Sequence, residues 1–212
     1  MKQRLMSGLV AATAVFASSL AVAAPVLRDD FSNARSGWPN MAATRSGDLG
    51  LAVYTDSGKY QMTPVEDQVF GFIPAPRQAK AGNVKMESDF FLYAGLGAGA
   101  AGLGCRHQDH RNFYGFMARG DGKLMILKVK DGKVTPLATG NVKGVMAGTV
   151  DTRLRVECKG NTLRMSASGG SSLSAQDGEF STGDSGLFVI GEKMAGTSVQ
   201  FDNFVLEDLG QR

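Results

Sequence analysis

The sequence is poor in the residues on which most catalytic and metal sites depend. It contains two histidines, two cysteines and one tryptophan in 212 residues. Because both histidines lie in the stretch 107–110, a Ser-His-Asp triad is not expected, and no Gly-x-Ser-x-Gly motif is present. His107, Asp109 and His110 are the one candidate set of metal ligands, but a tetrahedral site needs further ligands that the sequence does not locate. We therefore expect no metal and no cofactor.

The chain also carries little excess charge. Its formal net charge is +3, and without Lys2 and Arg4, which open the chain, 21 basic residues face 20 acidic ones, leaving +1. No run of Lys or Arg is longer than two residues, and aromatic residues do not alternate with basic ones. Grooves that bind nucleic acid need both features, so nucleic acid is not an expected partner.

Only one long apolar run is present, and it lies at the N-terminus. Residues 1–4 carry two positive charges, residues 5–22 carry none, and Ala21-Val22-Ala23 is the small-x-small pattern that a signal peptidase cleaves. Serine and threonine dilute the run, which favours a cleaved leader over a transmembrane anchor, and no cysteine follows it to carry a lipid. We expect residues 1–23 to be a secretory signal peptide and residues 24–212 to be one periplasmic or secreted domain without a membrane span.

Cysteine usage fits an oxidising compartment. Cys105 and Cys158 are the only two cysteines, and an even pair in an exported chain favours a disulfide over a metal or catalytic site. In extended conformation, alternation places Cys105 on the same face as Leu103, and Cys158 on the same face as Leu154. Both thiols are therefore predicted to point into an apolar interior.

Helical periodicity is missing as well, since no window after the leader keeps an apolar stripe over three turns. The chain instead alternates short runs rich in Val, Leu, Phe, Tyr and Met with turns that contain many of its 28 glycines, such as Asp131-Gly132. The predicted strands are 51–55, 60–64, 84–93, 112–118, 123–130, 133–138, 153–159, 162–168, 171–175, 186–190 and 197–207. This pattern favours two packed antiparallel sheets, with at most one short helix within residues 141–151.

One segment, residues 94–104, consists almost entirely of glycine and small apolar residues in alternation. Such alternation removes one row of side chains, and it permits a bend, a bulge or the close approach of another backbone. No helix pattern and no Gly-Lys-Ser/Thr triplet follows, so the segment is not a phosphate or dinucleotide loop. We interpret it as a curved strand or loop.

Several short motifs follow one another along most of the chain. They are Asp30-Phe31-Ser32, Ser36-Gly37-Trp38, Gly102-Leu103-Gly104-Cys105-Arg106-His107, Asn112-Phe113-Tyr114-Gly115-Phe116, Leu154-Arg155-Val156-Glu157-Cys158, Gly183-Asp184-Ser185-Gly186-Leu187-Phe188 and Phe201-Asp202-Asn203-Phe204. In this order they resemble bacterial extracytoplasmic concanavalin A-like (LamG-type) domains and, more distantly, the 3-keto-disaccharide hydrolase group. The resemblance implies an all-β jelly-roll sandwich of two antiparallel sheets, an architecture that hosts lectins, glycanases and modules without activity.

The resemblance also offers a test for catalysis, because the related laminarinase-like enzymes carry Glu-x-Asp-x-Glu along one strand face. This chain has Glu87, Asp89 and then Phe91 at those positions, and phenylalanine cannot transfer a proton. Glu87 and Asp89 are the only candidate catalytic residues, and the alternative is that they belong to the solvated face of a strand. The missing third acid favours a protein that is not an enzyme.

A candidate ligand-binding set follows from the cysteines. If the disulfide joins neighbouring strands, Arg106 comes close to Glu157 or Lys159. Arg153 and Arg155 then continue the same row, and Tyr114 lies nearby. Charged hydrogen-bonding groups beside an aromatic ring suit the hydroxyls and the apolar face of a sugar. The alternative is a set of cross-strand ion pairs on a solvated sheet.

The leading hypothesis from the sequence is an exported, non-catalytic domain of the bacterial envelope that binds carbohydrate, either a glycan or a small sugar. One alternative is a periplasmic protein-interaction or inhibitor protein, which would bind an envelope protein and would need no sugar pocket. The other alternative is a glycoside hydrolase of the 3-keto-disaccharide type.

Overall fold

Fourteen strands and no helix are formed by the residues that the computed structural model describes, which are 25–41, 49–64, 70–76, 80–93, 99–142, 148–191 and 196–210. The strands are β1 (Pro25–Asp29), β2 (Leu49–Tyr54), β3 (Tyr60–Pro64), β4 (Phe70–Pro74), β5 (Val84–Tyr93), β6 (Ala100–Asp109), β7 (Asn112–Arg119), β8 (Lys123–Lys130), β9 (Lys133–Asn141), β10 (Thr149–Lys159), β11 (Thr162–Ala167), β12 (Ser171–Gln176), β13 (Asp184–Ile190) and β14 (Ser198–Asp208). No helix that could cross a membrane is found in these ranges. The expected signal peptide lies outside them, as do parts of the glycine-rich segment and of the region that permits a short helix.

The strands form two antiparallel sheets that pack face to face. The larger has the order β12-β11-β10-β5-β14-β3-β2, with β1 also paired to β14, and the smaller has the order β4-β13-β6-β7-β8-β9. One edge of β14 pairs with β5, whereas the other edge is shared by β3 and β1. A bulge between Asp202 and Val205 separates these two pairings, and Asn203 has a positive φ of 50° there. The architecture is the all-β jelly-roll sandwich that the resemblance implies.

All eleven strands predicted from the sequence are present, because turns with clear residue preferences delimit them. At the turn between β8 and β9, Asp131 and Gly132 have φ values of 53° and 79°, as a two-residue type I′ turn requires. The sequence analysis missed β1 and β4, because Pro25 in β1 and Gly71 and Pro74 in β4 are residue types that are depleted in strands, and it left β6 undecided between a strand and a loop.

The core lies between the sheets and is lined by alternate residues of both. Along β10, Leu154, Val156 and Cys158 are buried while the residues between them are more accessible. Cys105 of β6 and Cys158 form a disulfide across this core, with their Cα atoms 6.8 Å apart. The predicted disulfide and the inward direction of both cysteines are confirmed. The bond joins the two sheets, however, so the assumption that it joins neighbouring strands is wrong.

An aromatic cluster anchors the segment that follows β1. Trp38 is 4% exposed, and its Nε1 donates a hydrogen bond to Asp29 Oδ2 at 2.9 Å. The indole also packs edge-on against Phe204 of β14, with ring centroids 5.1 Å apart, and contacts Phe31. These contacts hold residues 30–36 beside the bulge of β14.

The outer face of the smaller sheet is apolar, and aromatic rings there occupy the places of missing side chains. A Cβ added to Gly104 would lie 2.8 Å from the ring of Phe72, and one added to Gly115 would lie 3.1 Å from the ring of Phe188. Within the described part of residues 94–104, Gly104 therefore admits an aromatic ring, whereas Gly102 admits the close approach of another backbone, since a Cβ there would overlap the carbonyl group of Phe116.

Candidate functional site

The outer face of the larger sheet carries several of the polar residues that the sequence singled out. Arg153 lies opposite Asp89, and Arg155 lies opposite Glu87, on the neighbouring strands β10 and β5. Glu157 follows at the next alternate position of β10. Because alternate residues of a strand share one face, all five side chains point away from the core. The sequence prediction that Arg153, Arg155 and Glu157 share one surface is therefore confirmed.

These charged side chains form one ion-pair network. Arg153 donates from Nη1 to Asp89 Oδ1 at 2.9 Å, and from Nε and Nη2 to Glu87 Oε2 at 3.2 Å. Glu87 also pairs with Lys85 at 3.1 Å and with Arg155 at 3.3 Å. Burial by itself would lower the pKa of Arg153, but the two carboxylates raise it above its ordinary value. The network thus fixes the orientation of a charged guanidinium on an open sheet face.

The protonation of Glu87 bears directly on catalysis. Partial burial by itself raises its pKa, but hydrogen bonds from Lys85 and Arg153 outweigh this and hold the pKa below its ordinary value. The general acid of a glycosidase needs the opposite shift, since it must keep its proton near neutral pH. Asp89 is occupied by Arg153 and by Asn203 Nδ2, which donates to Oδ2 at 2.9 Å. Neither candidate carboxyl group is arranged as a proton donor.

A cleft of about 610 Å³ opens beside the network. It is bounded by β1, by residues 30–36, by Arg153 of β10 and by the bulge of β14 around Asn203. Arg28 and Asn33, both exposed, also line it, and Arg28 makes no ion pair with any described residue. The volume falls in the range typical of small-molecule sites, and the lining is rich in planar hydrogen-bonding groups.

Sequence reasoning missed Arg28, Asn33 and Asn203 as site residues. Their approach to Arg153 depends on the pairing of β1 with β14 and on the bulge in β14, neither of which shows in the alternation of apolar residues. The only sequence signal was indirect, since Asn203 lies in one of the family-like motifs, Phe201-Asp202-Asn203-Phe204.

Arg106 does not lie on this face, so the prediction that it lies in one row with Glu157, Arg153 and Arg155 is wrong. Its side chain is 2% exposed and donates to the carbonyl oxygens of Gly82, Phe180 and Gly160 at 2.8, 2.8 and 2.7 Å. One reason is that the disulfide spans the two sheets, which places β6 in the smaller one. The other is that Arg106 has a φ of 53° at a bulge, where the alternation of faces breaks down. The guanidinium ties three chain segments together inside the protein.

Tyr114 is likewise buried rather than exposed beside the arginines. Its hydroxyl donates to Asp177 Oδ1 at 2.5 Å and accepts from the backbone N–H of Phe180 at 3.1 Å. Lys128 donates to the other carboxylate oxygen of Asp177 at 2.6 Å. Burial raises the pKa of Tyr114, and the bond to Asp177 raises it further. The ring packs under the Arg106 guanidinium, 5.9 Å from centroid to Cζ, so Tyr114 serves the interior.

The candidate metal ligands His107, Asp109 and His110 do not form a cluster. Within the described ranges, no group of three or more His, Cys, Asp or Glu residues is placed to hold a metal ion. His107 stacks on Phe72 with ring centroids 3.9 Å apart, and burial lowers its pKa. Asp109 instead accepts hydrogen bonds from the side chain of Asn112 and closes the turn between β6 and β7.

Two aromatic side chains stand exposed on the same outer face as the network. Phe91 and Tyr93 of β5 are 44% and 51% exposed. They follow Glu87 and Asp89 at alternate positions, so the four residues form one line along the strand. Sequence reasoning treated Phe91 only as the place of a missing acid and did not single out Tyr93.

Comparison with known proteins is informative at the level of fold. No protein-family model matches the chain, and no curated protein matches it. Among solved structures, the carbohydrate binding module CBM66 from Bacillus subtilis is 20% identical with a TM-score of 0.58, covering 85% of this chain and 96% of its own. A Bacillus subtilis protein of unknown function with a galectin-like fold is 14% identical with a TM-score of 0.61, covering 89% of this chain and 98% of its own.

The exoplasmic/lumenal domain of VIP36, in a form bound to Ca²⁺ and Man3GlcNAc, is 17% identical with a TM-score of 0.54 and covers 79% of this chain and 83% of its own. Similarity at such low identity shows the fold alone. The chain therefore has the concanavalin A-like jelly-roll fold.

Proposed function

We propose that this protein is an exported, non-catalytic domain that binds carbohydrate of the bacterial envelope in the cleft beside Arg153. The observation that carries the proposal is the lining of that cleft, where Arg28, Asn33, Arg153 and Asn203 present guanidinium and amide groups to one open space. Planar groups with several donors in fixed directions suit neighbouring hydroxyls of a sugar ring. Two structures of similar fold add support, since one is a carbohydrate binding module and the other was solved with Man3GlcNAc.

The absence of catalysis in this proposal rests on the carboxyl groups. Glu87 and Asp89 both accept hydrogen bonds from Arg153, and the pKa of Glu87 is lowered rather than raised. A glycosidase needs one of its two carboxyl groups to keep its proton as the general acid, and the lowered pKa of Glu87 opposes that role. Their role in the proposal is to hold Arg153 in position for binding.

Export is supported by two features of the chain. Residues 1–23 have the charge and apolar pattern of a cleaved leader. The disulfide between Cys105 and Cys158 requires an oxidising compartment to persist, such as the periplasm or the cell exterior. An envelope or extracellular glycan is the carbohydrate that such a compartment offers.

Binding is tested by titrating the protein with neutral gluco-, manno-, xylo- and fructo-oligosaccharides and with cell-wall fragments, using calorimetry and thermal shift. We expect at least one glycan to bind, and we expect Arg28→Ala to weaken that binding about tenfold, as the loss of one charge-assisted hydrogen bond implies. Arg28 makes no ion pair with described residues, so its removal should leave the folded state intact.

The matched control is Arg164→Ala, which removes an exposed guanidinium of the same sheet that pairs with Glu157 at 2.9 Å. We expect this variant to bind as the unchanged protein does. If no glycan binds, or if both arginine variants lose affinity equally, the cleft is not the binding site. Turnover of the bound glycan would instead support the hydrolase alternative.

A further inference from the structure

Past the ion-pair network, the outer face of the larger sheet ends in two rows of residues that are almost uncharged. In the first row, Phe91 lies between Asp151 of β10 and Gln200 of β14, and Gln200 lies opposite Gln61 of β3. The two amides are in contact, with Gln200 Nε2 donating to Gln61 Oε1 at 3.4 Å. The first row thus sets an exposed ring beside a carboxylate on one side and a pair of amides on the other.

The second row repeats this arrangement one step further along the sheet. Tyr93 lies between Thr149 of β10 and Ser198 of β14, and Thr63 of β3 donates to the hydroxyl of Ser198 at 3.3 Å. Of the eight residues in the two rows, Asp151 is the only charged one. The face therefore changes from salt bridges around Glu87 to exposed rings flanked by amides and hydroxyls.

This change matters because β5 runs through the middle of the sheet and connects the two regions. Same-face residues of a strand are spaced by about 7 Å, so the line from Asp89 through Phe91 to Tyr93 extends about 13 Å from the network. A single sugar in the cleft would leave both rings uncovered. An oligosaccharide that extends from the cleft along β5 would cover the rings of Phe91 and Tyr93 one after the other.

We propose that Phe91 and Tyr93 form a stacking platform that extends the cleft, so that the ligand is an uncharged oligosaccharide chain rather than a single sugar; this inference rests on the proposed function. The apolar face of each successive sugar lies on one ring, where covering apolar surface stabilises the complex. Its hydroxyls meet Asp151 on one side and Gln200 and Ser198 on the other.

The composition of the rows distinguishes this ligand from other occupants. An acidic polymer needs cations, and neither row contains a lysine or arginine. A protein partner is favoured by a contiguous apolar patch, whereas here each ring has polar residues directly opposite it on both neighbouring strands. Isolated rings between hydrogen-bonding groups match a molecule whose faces are apolar and whose edges are polar.

The platform is tested by measuring affinity against chain length, from monosaccharide to hexasaccharide, for the neutral glycan series that binds best. Covering roughly 50 Å² of each ring corresponds to about a tenfold gain in affinity for each ring reached. We expect affinity to rise with length in the unchanged protein. Phe91→Ala and Tyr93→Ala should each weaken binding of the longest chain about tenfold while leaving binding of the monosaccharide unchanged.

Two further variants serve as controls. Phe91→Tyr keeps an aromatic ring at this position and should therefore retain the dependence of affinity on chain length. The loss of binding in Phe91→Ala would then be due to the missing ring and not to a general disturbance of the sheet. Val134→Ala removes a 41% exposed apolar side chain from the other sheet and should bind every chain length normally.

The outcomes separate the platform from the proposed function. Binding that is equally tight at all lengths, with no effect of Phe91→Ala, overturns the platform and leaves glycan binding in the cleft intact. Absence of binding to every chain length overturns both. Preference for an acidic chain of the same length overturns the assignment of an uncharged ligand.

Discussion

Arg106 offers the sharpest test of the difference between a ligand contact and a structural residue. Its guanidinium donates to three carbonyl oxygens, of Gly82, Gly160 and Phe180, at 2.7 to 2.8 Å. These carbonyls belong to three chain segments that are distant in sequence, and the Arg106 side chain bonds to all three. We predict that Arg106→Ala destabilises the folded protein strongly and does not affect glycan affinity in the molecules that remain folded.

The size of the effect follows from the burial of the side chain. Each hydrogen bond from a charged donor contributes about 1.5 to 3 kcal/mol, and burying the guanidinium opposes part of that gain. The alanine variant leaves the carbonyls without their donor, so we expect a loss of about 3 to 5 kcal/mol in the free energy of unfolding. For a chain of this size the melting temperature would fall by about 6 to 20 °C.

The assay is denaturant unfolding followed by the fluorescence of Trp38, with Arg155→Ala as the control. Arg155 carries a half-exposed side chain in a surface ion pair, and its loss should cost less than about 1 kcal/mol. Arg106→Lys should fall between the two, because an ammonium group keeps the charge but not the fork geometry. If Arg106→Ala is as stable as the control variant but no longer binds glycan, the reasoning is wrong and Arg106 is a ligand contact.

Two other predictions concern the interior. Replacing both Cys105 and Cys158 with alanine should lower the free energy of unfolding by about 4 kcal/mol, since the disulfide closes a loop with a sequence separation of 53. Denaturation with and without reductant measures this difference. An effect below about 1 kcal/mol would contradict the prediction. The pKa of His107 is lowered by burial, so the protein should lose stability as the pH falls below the usual value of 6.5. His107→Phe keeps an aromatic ring stacked on Phe72 and should make the free energy of unfolding less dependent on pH between pH 7 and 5. If the variant loses stability with falling pH as steeply as the unchanged protein does, His107 is not the group responsible.

The sequence was most informative where local chemistry decides structure. Alternation along β10 predicted which side chains enter the core, and Asp131-Gly132 predicted the hairpin turn, because both signals depend only on neighbouring residues. It failed at Arg106, where a bulge and a positive φ break the alternation that the prediction assumed. It also failed to find the cleft, because Arg28 and Asn203 are brought together by the pairing of β1 with β14.

The two outer faces of the sandwich explain why binding is assigned to the larger sheet. On the smaller sheet, the ring of Phe72 lies over Gly104 and the ring of Phe188 lies against Gly115, so both rings are already in contact with their own sheet. On the larger sheet, Phe91 has side chains rather than glycines opposite it, and its ring remains 44% exposed. A ring that packs on a glycine completes the fold, whereas an exposed ring between polar neighbours is accessible to a ligand. The placement of glycine therefore distinguishes the aromatic rings that complete the fold from those that we propose to bind a ligand.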